Sequence, residues 1–164
     1  ISCSLVGSEM CIRDRNNIVN FMKAVIFDID GTLADNSERQ KYLSELRWDM
    51  FFNEMGNDYP VKEVLELYNL IKNSQQYKMI IVSGRPEKYK KLTEQWLTWN
   101  NIYYDDLYMR KDGDQRKDNV IKQEILKHIK EKYEISFAFD DRKSVVDMWR
   151  ENGVFCFQCQ DHNY

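Results

Sequence analysis

Residues 24–35, AVIFDIDGTLAD, decide the fold of this chain. The apolar run 24–29 predicts a buried parallel strand, and Asp28 and Asp30 stand at its carboxyl end, where open α/β sheets bind their ligands. A Gly-Thr pair turns the backbone immediately afterwards. Two carboxylates in this position indicate a magnesium-assisted phosphoryl-transfer centre, in which an aspartate can itself attack phosphorus.

Beyond the first strand, strand patterns alternate with helical patterns. This order predicts an α/β fold, a doubly wound (Rossmann-like) mainly parallel five-stranded sheet with helices on both faces. Pro60 and Pro86 are expected at or near helix starts. The later strands are expected at 78–82, 107–109, 135–139 and 154–157. The helices are expected at 61–71, 87–99, 117–132 and 143–152.

The segment 36–59 follows the acidic turn and mixes aromatic residues with charges. We interpret it as helical cover over the sheet edge. It is too short to form a large independent cap domain. The prediction is therefore a small cap or none, with an active site open to a bulky substrate.

Length and composition bound the possible functions. A chain of 164 residues with 43% apolar content suffices for one compact core. The net charge of −3 makes general attraction to nucleic acid unfavourable, so a polyanionic ligand requires a local basic patch. No apolar run approaches the ~20 residues that cross a bilayer, so no membrane association is expected.

Residues 1–21 differ from the rest of the chain, since they show neither strand nor helix periodicity. The portion SLVGSEMCIRDR resembles a translated sequencing adaptor, and Met22 stands where a natural start would be. We expect a disordered leader or a non-native translated extension here, and one domain over 22–164. A secretion signal is disfavoured because Glu9, Arg13 and Asp14 interrupt any apolar core.

The four cysteines favour a reducing cytoplasm. Cys3 and Cys11 lie in the leader, and Cys156 and Cys159 lie in or just after the last apolar run. A Cys-x-x-Cys pair can be half of a zinc site, but a second pair is missing. Ordinary strand cysteines are the better interpretation of Cys156 and Cys159.

Four pieces of sequence at predicted strand ends or helix starts each supply something that phosphate-ester hydrolysis requires. In the first, Asp28 would attack phosphorus, while Asp30 would protonate the leaving oxygen and later deprotonate water. In the second, the Ser83 hydroxyl and the following amides, with the Arg85 guanidinium, would hold phosphate oxygens. A turn or helix-capping role is the alternative for Ser83.

The third piece places Asp118 and Lys122 one helical turn apart, so the carboxylate can orient the ammonium. Lys122 would then neutralise charge on the phosphoryl group, and the alternative is an exposed helix ion pair. The fourth piece is the acidic pair Asp140 and Asp141. With residues of the first piece, this pair would bind Mg²⁺, and the expected protein ligands are Asp28, the Asp30 backbone carbonyl and Asp140. Asp141 would ligate through water, anchor a neighbouring base or cap the next helix.

Taken together, DIDGTLAD, SGRP, the downstream lysine and DDR resemble the haloacid dehalogenase-like (HAD) phosphohydrolases. The resemblance implies that Asp28 is the nucleophile, Asp30 the acid and base, and that the terminal acids hold Mg²⁺. A narrower resemblance covers nearly everything from Met22 onward and points to the 3′-phosphatase domain of phage-type polynucleotide kinase-phosphatase. It rests on the spacing of SGR and on MRKDGDQRKDNVIKQEI and DDRKSVVDMWRENGVFCFQ.

The narrower resemblance implies roles for Arg39, eleven residues after the nucleophile, and for the pair Asp118 and Lys122. Its implied substrate is a 3′-phosphate on DNA or RNA, or a 2′,3′-cyclic phosphate, removed to leave a hydroxyl for ligation. The full set of expected substrate-binding residues is Thr32, Arg39, Gly84, Arg85 and Arg110.

The chain lacks a Gly-x-x-x-x-Gly-Lys loop for a nucleoside triphosphate. Either it is a free-standing phosphatase, with kinase or ligase repair partners encoded separately, or the gene was cut on its 5′ side. Three rival functions stay open. One is a HAD phosphatase of a small nucleotide or sugar phosphate, another is a catalytically idle binding module, and the third is a phosphotransferase that donates the phosphoryl group to an alcohol.

Overall fold

The computed structural model describes residues 21–162, with side chains described for 21–160. The expected leader, residues 1–21, therefore lies outside the described residues except for Phe21. None of the helices within the described range is both long and apolar enough to span a bilayer.

Seven strands and six helices make up the described chain, with three short 3₁₀ turns. The strands are β1 (Met22–Phe27), β2 (Ala34–Asp35), β3 (Tyr59–Pro60), β4 (Lys78–Pro86), β5 (Asp106–Arg110), β6 (Tyr133–Arg142) and β7 (Cys156–His162). The helices are α1 (Gln40–Ser44), α2 (Trp48–Asn53), α3 (Lys62–Asn73), α4 (Lys90–Trp99), α5 (Asp118–Lys130) and α6 (Lys143–Glu151). The 3₁₀ turns are Ser37–Arg39, Glu54–Asn57 and Glu87–Tyr89.

Five parallel strands form the central sheet in the order β5-β4-β1-β6-β7. The middle strand β1 is buried on both faces, which explains its unbroken apolar sequence. Ala24 and Ile26 belong to the core that contains α5 and α6, whereas Val25 and Phe27 belong to the core that contains α3 and α4. The predicted doubly wound α/β class is thereby confirmed.

The strands differ from prediction mainly at their carboxyl ends. β1 ends at Phe27 rather than at residue 29, while β4 and β6 run on through SGRP and DDR. Residue pairing between β4 and β5 slips between Ser83 and Pro86, so an irregular extension replaces the expected turn. Such bulges often occur beside active sites, where they redirect side chains.

Residues 36–58, which we call the insert, connect β2 to β3. As predicted, the insert is largely helical, with α1, α2 and two of the 3₁₀ turns. β2 and β3 pair as a small antiparallel sheet at its base, which the sequence patterns do not predict. Pro60 lies in β3, two residues before α3 begins at Lys62, and Pro86 ends β4 directly before the turn Glu87–Tyr89, so both prolines lie near helix starts as predicted.

The cysteines of the last strand behave as predicted. Cys156 and Cys159 both lie in β7 as free thiols. Burial raises the pKa of each thiol to about 12, so neither is a ready thiolate.

Candidate active site

The turn after β1 places both of its aspartates at the carboxyl edge of the sheet. Asp28 is buried, and its backbone N–H donates to the Phe139 carbonyl at 3.0 Å. Gly31 then adopts a φ of +85°, and a Cβ at this position would overlap the carboxylate of Asp141. Glycine is therefore required twice, for the backbone conformation and for the close approach of β6.

Three carboxylates converge at this edge, which we call the acidic triad. Oxygens of Asp28, Asp140 and Asp141 lie within 4.8 Å of one another. All three side chains are buried, and they come from the ends of the neighbouring strands β1 and β6. The sequence prediction that acids from opposite ends of the chain meet in space is consistent with this geometry.

Lys122 reaches the acidic triad from α5. Its Nζ donates to Asp28 at 2.7 Å and to Asp140 at 2.8 Å, and lies 3.5 Å from Asp118. Burial alone would lower the pKa of Lys122, but the charges of Asp140, Asp28 and Asp118 raise it well above its ordinary value. Lys122 is therefore a buried cation rather than an exposed helix ion pair.

The triad still carries an excess of negative charge. Burial raises the pKa of Asp28 well above its ordinary value, Lys122 opposes that rise, and Asp140 and Asp141 add to it. The Lys122 ammonium contacts two carboxylates of the triad, Asp28 and Asp140. Three clustered carboxylates suit a hard divalent cation, because Mg²⁺ prefers oxygen ligands. The donor set of Asp28, Asp140 and Asp141 therefore fits magnesium.

The side chain of Asp30 points into a different group, which we call the arginine clamp: Asp30, Arg39, Asp58 and Arg85. Arg85 donates to Asp30 through Nε at 2.9 Å and Nη2 at 2.7 Å, and Arg39 Nη2 donates to Asp30 Oδ1. Burial would raise the pKa of Asp30, but the charges and hydrogen bonds of the two arginines hold it well below its usual range. Asp30 is therefore ionised at neutral pH.

Asp58 completes the clamp, and it is the residue that sequence reasoning missed. Arg39 donates to Asp58 through Nε at 2.7 Å and Nη2 at 2.7 Å, while Arg85 Nη2 lies 3.4 Å away. The Asp58 carbonyl also accepts from Trp96 Nε1 at 2.8 Å. The one available signal was charge balance, since two buried arginines need more than Asp30 as a partner.

We expect Asp58→Asn to lower the free energy of unfolding by about 3 kcal/mol, because it leaves buried guanidinium groups with too little negative charge. Asp49→Asn is the matched control, since Asp49 is an acid of the insert whose side chain is 84% exposed. That control should change stability by no more than ~0.5 kcal/mol. Urea unfolding measures both, and equal midpoints would contradict a structural role for Asp58.

The irregular end of β4 brings Gly84 and Arg110 against Asp118. A Cβ at Gly84 would come within 2.5 Å of Asp118 Oδ1. Arg110 donates to the Gly84 carbonyl at 2.9 Å and to Asp118 at 3.2 Å. The Ser83 hydroxyl accepts from the Arg85 backbone N–H at 3.3 Å. Arg110 thus holds Asp118, Gly84 leaves room for its carboxylate, and Asp118 in turn approaches Lys122.

A cleft of about 860 Å³ opens above these groups. The expected site residues divide into those that line it and those that lie beneath it. Those lining the cleft are Asp28, Asp30, Gly84, Arg110, Asp118 and Asp141. Those buried beneath it are Thr32, Arg39, Ser83, Arg85, Lys122 and Asp140.

Two further sequence expectations can be compared with these positions. Arg39 and Arg85 were expected to bind substrate phosphate, but their guanidinium groups contact Asp30 and Asp58. A helix-capping role for Asp141 is wrong, because α6 begins at Lys143 and Arg142 occupies its N-cap position.

With this geometry in place, comparison with known proteins is decisive. The family model of the polynucleotide kinase PNKP phosphatase domain matches residues 22–164. The chain belongs to this family. It is therefore a HAD-type phosphatase, and the rival interpretation as an idle binding module is set aside.

Similar proteins include a chain of an RNA repair complex and a viral polynucleotide kinase/RNA ligase. A chain in the Pnkp1/Rnl/Hen1 complex is 38% identical, with a TM-score of 0.77 over 89% of this chain and 48% of that one. A candidate bifunctional polynucleotide kinase/RNA ligase of Autographa californica nuclear polyhedrosis virus is 29% identical over 136 residues. That match covers 80% of this chain and 18% of the viral protein. The chain thus spans less than half the length of either relative.

A more distant likeness shows the fold alone. A hydrolase from Streptococcus pneumoniae TIGR4 is 19% identical, with a TM-score of 0.59, over 84% of this chain and 91% of that one. The same fold therefore occurs in a chain of comparable length.

Proposed function

We propose that this phosphatase removes 3′-phosphate, or a 2′,3′-cyclic phosphate, from the ends of DNA or RNA through an aspartyl-phosphate on Asp28. The observation that carries the proposal is that Asp28 and Asp30 both line one open cleft, with Lys122 donating a hydrogen bond to Asp28. The names of the two similar proteins, a polynucleotide kinase/RNA ligase and an RNA repair complex, support a polynucleotide substrate.

In the first step, a carboxylate oxygen of Asp28 attacks phosphorus, and the bond to the 3′-oxygen breaks. Asp30 donates a proton to that oxygen, which leaves as a hydroxyl. Lys122 contacts Asp28 and offsets negative charge on the phosphoryl group. Because the clamp keeps Asp30 ionised, we expect the substrate phosphate to draw Arg39 or Arg85 away before Asp30 acquires its proton.

In the second step, Asp30 accepts a proton from water, whose oxygen attacks phosphorus. The bond to Asp28 then breaks, releasing inorganic phosphate and restoring the carboxylate. The low pKa of Asp30 in the clamp raises the ionised fraction that this step requires.

Asp28, Asp140 and Asp141 would hold Mg²⁺, together with the backbone carbonyl of Asp30 proposed from the sequence. The ion would supply positive charge beside the phosphoryl oxygens. Thr32, Ser83 and Gly84 are proposed to surround the phosphate, with Arg110 fixing the end of β4 through its hydrogen bond to the Gly84 carbonyl. We further propose a cytoplasmic location and kinase or ligase repair partners, in keeping with the free thiols and the repair complex of the similar chain.

The testing experiment incubates the full chain with 3′-phosphorylated and 5′-phosphorylated oligonucleotides, with Mg²⁺ or with a chelator. Phosphate release is expected from the 3′ end alone, and only when Mg²⁺ is present. A free 3′-mononucleotide serves as the small-molecule comparison, with kcat/KM expected to be about tenfold lower because it lacks the flanking phosphates.

Each arm of this experiment has a result that would overturn one part of the proposal. Equal turnover of the mononucleotide and the oligonucleotide would favour the rival small-molecule phosphatase. Release from the 5′ end at the same rate would remove the regiospecificity. Undiminished release in the chelator would remove the magnesium requirement.

A further inference from the structure

One wall of the cleft is aromatic and comes from the insert. Trp48, Phe51 and Phe52 of α2 line the cleft, and Trp48 keeps 53% of its surface exposed. Trp48 and Phe52 lie nearly parallel, with 27° between their planes and ring centroids 6.3 Å apart. Phe52 in turn stacks on Tyr89 at 5.0 Å, just after β4. Trp48 is therefore an exposed ring on a supported aromatic stack.

Basic residues of the β5–α5 connection also line the cleft. Arg110 is bonded to Asp118, and Arg116 is bonded to Asp114 and Glu124. Lys111 and Lys117 are exposed, and within the described residues neither side chain forms an ion pair. These two lysines are therefore available to an anionic ligand that enters the cleft.

We propose that Trp48 stacks the terminal base of a single-stranded 3′ end, while Lys111 and Lys117 contact the adjoining backbone phosphate. One cleft contains an aromatic ring, unpaired cations and the acids proposed to hydrolyse phosphate. A nucleic-acid strand has a flat base that can stack on the ring and a backbone phosphate that can bind the cations. Binding of this kind tolerates any base, because every base has a π-face. The inference rests on the proposed function and deepens it.

The test compares Trp48→Leu and Trp48→Phe on a 3′-phosphorylated single strand. The leucine variant keeps an apolar side chain but has no ring, and KM should rise about tenfold. The phenylalanine variant keeps a ring, and KM should stay within about threefold of the parent. Trp99→Ala is the matched control, since Trp99 is 63% exposed on α4 and is not part of the cleft lining.

A second substrate separates base stacking from general damage to the insert. This substrate is an oligonucleotide whose terminal 3′-phosphorylated residue lacks its base. On it, Trp48→Leu should raise KM by only about twofold or less. The inference would be overturned if Trp48→Leu raised KM equally on both substrates, or if Trp48→Leu and the parent had equal KM. A third outcome would assign Trp48 a packing role instead. In that case Trp48→Leu would lower both kcat and thermal stability, and Trp48→Phe would restore them, with the same kcat pattern on both substrates.

The lysines are tested through salt. The double variant Lys111→Ala and Lys117→Ala should raise KM and flatten the dependence of log KM on log salt concentration. An unchanged slope would exclude their contact with the strand. If the parent released no phosphate from any 3′ end, the proposed function itself would fail. If the parent were active and substitution of Trp48 left KM unchanged, only the proposed base stacking would be overturned.

Discussion

We expect Asp28→Asn to lower kcat by on the order of 10⁴-fold or more, because an amide cannot form the covalent phosphoryl intermediate. The same variant should fold normally. It removes one negative charge from a crowded group and leaves Lys122 paired with Asp140 at 2.8 Å. Phosphate release from a 3′-phosphorylated oligonucleotide measures the rate, and thermal unfolding measures the stability.

Asp147→Asn is the control for the change of aspartate to asparagine. Asp147 is a partly exposed acid of α6 that pairs with Lys143 at 2.7 Å, away from the residues lining the cleft. It should keep full activity. If Asp28→Asn retained more than about a hundredth of the parent rate, Asp28 could not be the nucleophile.

The second large effect is expected for Lys122→Ala. Removing the ammonium leaves Asp28 and Asp140 buried without their shared cation, so the free energy of unfolding should fall by about 3 to 5 kcal/mol at neutral pH. The lost charge compensation on the phosphoryl group should also lower kcat by about 10²- to 10³-fold. Urea unfolding and steady-state kinetics measure the two effects separately.

The stability loss in Lys122→Ala should depend on pH. Asp28 has a raised pKa, so the folded state binds its proton more readily than the unfolded state. A group of this kind favours folding at low pH, and the advantage is lost as the pH rises through the folded pKa. Because the Lys122 charge opposes this rise, removing it raises the Asp28 pKa further, and the difference in the free energy of unfolding between variant and parent should narrow as the pH is lowered and Asp28 becomes protonated in both. A constant difference would show that the Asp28 charge is not responsible.

Lys143→Ala supplies the matched comparison. Lys143 and Asp147 form an i,i+4 pair like Lys122 and Asp118, but their side chains are 59% and 43% exposed. Exposed pairs of this spacing contribute about 0.3 to 0.5 kcal/mol. If Lys122→Ala cost no more than Lys143→Ala in stability and rate, the exposed-pair interpretation of Lys122 would be correct.

Local patterns explain why much of the fold was predictable. The apolar run before Asp28 fixes a central strand, and acids that directly follow parallel strands must meet at one edge of the sheet. Asp118 and Lys122 were predicted as a pair from helical spacing alone. These inferences need only neighbours in sequence and a rule of sheet geometry.

What sequence could not provide depends on partners far apart in the chain. The irregular extension of β4 depends on its pairing with β5, and the contacts of Arg39 depend on Asp58, nineteen residues away. From sequence alone, an arginine is equally compatible with binding phosphate and with a buried ion pair. The position of a carboxylate such as Asp58 decides between them, and no local motif marks that position.

Asp58 belongs to the insert, yet its charge neutralises the Arg39 guanidinium, which also donates to Asp30 in the turn after β1. The insert is therefore electrically part of the candidate active site. Natural variation or protein engineering that shortens or replaces the insert must keep an equivalent anion in it. Without that anion, the change would alter the proton affinity of Asp30 as well as the shape of the cleft.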